Sequence, residues 1–161
     1  MRPSAVRAGA TGKSHGFTDE RQIHRQRLQP RIAALQLEID RRLKVPSLQP
    51  PAWKHFLLRV YTQYPPQSMS EAHRTNELAK VRLMEGLTEA VPRALRQAVM
   101  HYHPDRNQSQ RYGIAWAVIS EEVSKIATSL LALYKQRLLA FTAKSGLPAR
   151  CEPADTEMEN L

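Results

Sequence analysis

Between Ala98 and Asn107, two histidines and an aspartate crowd around a proline: His101, His103, Pro104 and Asp105. A histidine two residues from a carboxylate can act as a general-base pair, with the imidazole taking a proton and the carboxylate orienting it. Such a pair needs a nucleophile and an oxyanion-stabilising loop. The chain offers no Gly-x-Ser-x-Gly motif and no glycine loop of that kind, so it is not expected to be an enzyme. His101 and His103 fail as a metal pair too, because residues two apart on a helix point apart and no third ligand completes a set. Cys151 is the only cysteine, which rules out an internal disulfide and a cysteine-based zinc site. No cofactor is expected.

Docking is the chemistry left to this corner. Pro104 has no N–H and disfavours helix at the residue before it, so a helix arriving through Val99 and Met100 must end near Tyr102. His103 and Asp105 then sit on a rigid exposed corner, stiffened by one fixed φ angle. A corner of this kind suits a partner's surface better than it suits a pocket.

The elements that must hold it are helical. Hydrophobic residues make up 42% of the 161, enough for a core, and β-branched runs are few, so the expected fold class is all-α. Residues 1–17 are Gly/Ala/Ser/Arg-rich without periodicity and read as a disordered basic tail. A basic amphipathic extension is expected over 18–45, opening at Thr18-Asp19-Glu20 and interrupted at Pro30. Beyond that break Ile32, Leu35, Ile39 and Leu43 share a face until Val45-Pro46. Trp53, Phe56, Leu57, Val60 and Tyr61 form a second stripe, stopped by Pro65-Pro66. Ser68-x-x-Glu71 has the spacing of a capping box, opening a polar helix from about Ser70 that Gly86 closes. The next helix, from about Glu89 to Tyr102, turns Val91, Ala94, Leu95, Ala98, Val99 and Tyr102 inward and Arg93, Arg96 and His101 outward. A last helix runs from Ile114 to Lys144, about 45 Å at 1.5 Å per residue. Its stripe continues past Ile126 through Leu130, Leu133, Leu138 and Phe141, and the Ile32–Leu43 helix is expected to cover it. Residues 144–161 read as a disordered acidic tail.

Val91 to Asn107 resembles helix II and the loop of a J domain, the DnaJ-type module that activates DnaK-type chaperone ATPases. Ala94-Leu95, Tyr102 before the His-Pro-Asp triplet and Arg106-Asn107 after it carry the likeness. Trp116 to Val123 is similar to the start of that family's helix III. The resemblance implies a J-domain-like region over residues 50–143, with the Trp53–Tyr61 stripe as helix I, antiparallel to helix II, and a helix II/helix III hairpin. It implies a co-chaperone that stimulates ATP hydrolysis without doing chemistry itself. His103, Pro104 and Asp105 would dock on the chaperone, the aspartate pairing with an arginine there. Arg93, Arg96 and Arg106 would meet an acidic face. Three departures stand out: a helix inserted between helices I and II, no break after helix III, and Gln97 where the family often has a base. A client or scaffold protein would be bound through the N-terminal or the long C-terminal helix.

The formal charge is +9, with ten Lys/Arg against four Asp/Glu over residues 1–44. Excess base makes nucleic acid a secondary partner class, through Arg21, Arg25, Arg27, Arg31, Arg41 and Arg42, although no helix-turn-helix, zinc or ribonucleoprotein motif accompanies them. No apolar run approaches the ~18–20 residues that span a bilayer, and residues 1–30 lack the apolar core of a secretory signal. The expected compartment is the cytoplasm, with the nucleus as an alternative. A mitochondrial presequence is disfavoured because no amphipathic arginine helix is evident.

Overall fold

Residues 15–144, the part of the chain described by the computed structural model, form six α-helices and no strand. They are α1 (His15–Lys44), α2 (Ala52–Gln63), α3 (Glu71–Leu83), α4 (Ala90–His101), the single-turn α5 (Ser109–Tyr112) and α6 (Ile114–Lys144). The all-α class is as expected. The tail over residues 1–14, the acidic tail from 145 onward, Cys151 and the Gly146-Leu147-Pro148 break lie outside the described residues.

Directions follow from which ends meet. Lys54 Nζ at the start of α2 donates to the carbonyls of Arg82 and Met84 at the end of α3 (2.7 and 2.8 Å), so these two helices are antiparallel. Tyr61 at the end of α2 meets His101 at the end of α4, so α2 and α4 run parallel. The sequence reading had them antiparallel. The course of α3 is the cause, since it carries the chain back to the start of α2 before α4 begins. Tyr102 and Trp116 have ring centroids 6.2 Å apart, which joins the end of α4 to the beginning of α6. The corner residues 103–105 therefore sit at the end of the bundle where α2 and α4 finish and α3 and α6 start.

One core unites the helices. Trp53, Phe56, Leu57, Val60 and Tyr61 of α2 are buried with Val91, Leu95, Ala98 and Tyr102, as their spacing predicts. From α6 come Trp116, Val123, Ala127, Leu130 and Tyr134. Ala117, Glu121 and Ser124 share another face of α6 by helical spacing, and Glu121 meets Arg21 and Arg25 of α1. Small residues at 117 and 124, both buried, suit that close helix approach.

The first helix departs from expectation in a useful way. It begins at His15, before Thr18, and passes through Pro30 without a break. A proline in a helix interior costs about 3 kcal/mol. Leu28, Ile32, Leu35 and Ile39 are all buried, each contributing up to ~1.5–3 kcal/mol, and together they outweigh it. Cover for α6 is partial. Ile39 and Leu43 flank Ile126, Leu130 and Leu133, but Leu139 and Phe141 remain 69% and 57% exposed. The end of α1 at Lys44 leaves the last turns of α6 beyond its reach. Smaller differences concern caps: Ser70, not Ser68, caps α3, its Oγ accepting the His73 N–H at 3.3 Å.

Candidate docking site at the His-Pro-Asp corner

After α4 ends at His101 the chain turns twice in succession, with Arg106 N–H donating to the His103 carbonyl (3.0 Å) and Asn107 N–H to that of Pro104 (3.1 Å). His103 and Asp105 lie on the outside of these turns with 46% and 88% of their side chains exposed. The Asp105 N–H donates to His103 Nδ1 at 3.3 Å, which leaves Nε2 as the nitrogen presented outward. The Asp105 carboxylate lies 3.6 Å from the same Nδ1. The imidazole thus has a fixed local partner at Nδ1, and the Asp105 carboxylate keeps an open face.

What fixes the corner is Asn107, which is 1% exposed. Its Nδ2 donates to the carbonyls of His101 and His103, each at 2.9 Å, and its Oδ1 accepts the Trp116 indole N–H at 2.8 Å. One amide therefore ties the end of α4, the turn and the first turn of α6 together. Nothing in the sequence marks this role, because a lone asparagine in a polar loop leaves no periodic signal. Tyr102 braces the same region from below, donating to the Val60 and Tyr64 carbonyls. Burial pushes its phenol, and that of Tyr61, well above the ordinary range.

His101 is not on the open face where the sequence reading put it. Its Nδ1 lies 2.8 Å from the Tyr61 hydroxyl and its ring stands edge-on to that of His73, 6.1 Å between centroids. Burial lowers its pKa, opposed by Glu77 and assisted by His73 and Arg106. Among the described residues no group of three His, Cys, Asp or Glu side chains converges as a metal site requires.

Arg93, Arg96 and Arg106 are exposed and have no ion pair among the described residues. Along the axis of α4, Arg96 and Arg93 stand roughly 8 and 12 Å before His101 at 1.5 Å per residue. The arginines considered for nucleic acid divide differently. Arg21 and Arg25 pair with Glu121 at 2.9 and 3.2 Å, and Arg42 pairs with Glu38 at 2.8 Å. Lys125 completes the first cluster: although burial pushes the Glu121 carboxyl up, the Lys125 hydrogen bond and the three cations hold it below its usual value. No helix among the described residues is long and apolar enough to cross a membrane.

No protein-family model matches this sequence, and neither a curated protein nor a solved structure matches it.

Proposed function

We propose that this protein is a co-chaperone of the J-domain type, stimulating ATP hydrolysis by a DnaK-type chaperone. The observation that carries the reading is the exposed His103-Pro104-Asp105 corner, braced by the buried Asn107 between two packed helices. A rigid corner suits docking because little conformational entropy is lost on binding. Asp105 is the acceptor for a cation on the chaperone, and His103 offers Nε2 beside it. Arg93, Arg96 and Arg106 supply the electrostatic attraction that steers an acidic face onto α4 and the turn.

Two features set the chain apart from the family's pattern. The inserted α3 reverses the path between α2 and α4, and α6 continues without a break. Neither removes a residue from the corner. The reading is tested by single-turnover ATP hydrolysis with a panel of DnaK-type chaperones. Wild-type protein accelerates hydrolysis by one of them; His103→Gln and Asp105→Asn do not, while keeping the helicity and melting temperature of the wild type. Equal stimulation by the substituted proteins would end this assignment.

A further inference from the structure

The α3 insertion does more than redirect the chain. Its N-terminal end and the loop before it stand opposite the corner, leaving an open cleft of about 680 Å³ between them. That volume is within the usual ~300–1,000 Å³ range of ligand sites. Asp105, Arg106, Arg111 and Tyr112 line it from the corner and α5, and Ser68 and His73 from the loop before α3 and its first turn. Arg111 is held in place by its own neighbour, its guanidinium carbon 5.2 Å from the Tyr112 ring centroid. Neither Arg106 nor Arg111 has an ion pair among the described residues. Arg21, Arg25 and Arg42 elsewhere are engaged by acids.

We infer that this cleft is a binding site beside the corner's outward face, sharing Asp105 and Arg106 with it, and that it takes an extended acidic peptide segment. The charge argues for an anion, since two arginines face a single carboxylate. The mixture of groups argues for a peptide over a nucleic acid. Asp105 in the wall can accept backbone N–H groups, which a peptide supplies and a phosphodiester chain does not; toward phosphates it would be repulsive. Tyr112, the one phenol ring in the lining, already has a face covered by the Arg111 guanidinium, which leaves less of it for a base to stack on.

The inference does not depend on the co-chaperone reading, because it can be tested without any chaperone. The probe is a fluorescein-labelled decapeptide alternating glutamate and leucine, followed by anisotropy with the full chain at low salt and located by amide chemical-shift mapping. The peptide is expected to bind, with shifts concentrated at residues 68–73 and 106–112. Arg106→Glu with Arg111→Glu should weaken binding by about tenfold or more, since each change turns an attraction into a repulsion. A charge-matched reversal at the opposite end of the bundle, Arg82→Glu with Lys135→Glu, should weaken it no more than about twofold by long-range attraction alone. Equal losses in both double variants, shifts spread outside the cleft, or tighter binding of a ten-residue oligodeoxythymidine would each overturn the proposal. Circular dichroism melting of both variants separates lost binding from lost folding.

Discussion

Asn107 accepts the indole N–H of Trp116 at 2.8 Å while its amide nitrogen holds the carbonyls of His101 and His103, so one side chain ties the end of α4 and the turn to the start of α6. The exposed corner owes its shape to this buried pair. His103, Pro104 and Asp105 are themselves exposed.

Asn107→Ala should therefore damage the corner without touching it. Trp116 would keep a buried N–H without an acceptor, and each orphaned buried group costs about 1–3 kcal/mol. A loss of roughly 2–4 kcal/mol should lower the melting temperature by roughly 5–15 °C. Asn107→Asp separates the two halves of the role. It keeps the acceptor for Trp116 but turns a carboxylate toward the carbonyls of His101 and His103. Hydrogen exchange at residues 103–107 should accelerate in both variants, and unchanged exchange would show that the turn holds itself.

Association with a chaperone should weaken as salt rises, because exposed charges are screened within ~8–10 Å at physiological ionic strength. Arg93→Glu combined with Arg96→Glu should reduce stimulation in the same direction, chiefly through a slower association rate. Stopped-flow binding at two salt concentrations checks this. Tight nucleic-acid binding that survives ~200 mM salt, with no chaperone response, would favour the basic-helix alternative instead.

Removing residues 1–45 deletes α1 and uncovers Leu130 and the Ile126 region of α6. Leu28, Ile32, Leu35 and Ile39 each contribute up to ~1.5–3 kcal/mol of burial, an upper figure since unfolded chains are themselves partly collapsed. The truncated protein should melt earlier or dimerise through the bared face, while the corner retains some activity. Melting curves combined with light scattering decide it: a stable monomer with the full-length melting temperature would show that α1 adds nothing to the fold.

Mild acid should weaken the fold through two partly buried histidines. Burial lowers the pKa of His101, and that of His55 as well, below the ordinary 6.5. Between the lowered value and 6.5 the unfolded chain binds more protons than the folded one, so stability rises with pH there. Their contribution is complete above pH 6.5 and is lost as pH falls through the folded values. Melting temperature should drop between pH 7.5 and 5.5, and His101→Gln should show a shallower drop. An equal slope in that variant would assign the effect away from His101.

Apolar spacing alone made three of the long helices legible, because a period near 3.6 records which face will be buried before any partner is known. The Trp53–Tyr61 stripe, the inward face of α4 and the span of α6 from Ile114 to Lys144 were all readable this way, and Pro104 announced the end of α4. Local rules failed where a distant partner outweighed them. Pro30 reads as a break until burial of Leu28 and Ile32 on either side is added, and His101 reads as exposed until Tyr61 and His73 arrive from α2 and α3. The parallel course of α2 and α4 could not be read at all, since no residue's chemistry encodes the direction in which α3 returns the chain. Asn107 belongs with these. Its three hydrogen bonds join groups that become neighbours only when α4 and α6 have packed, so its identity lies in the sequence and its role in the tertiary structure.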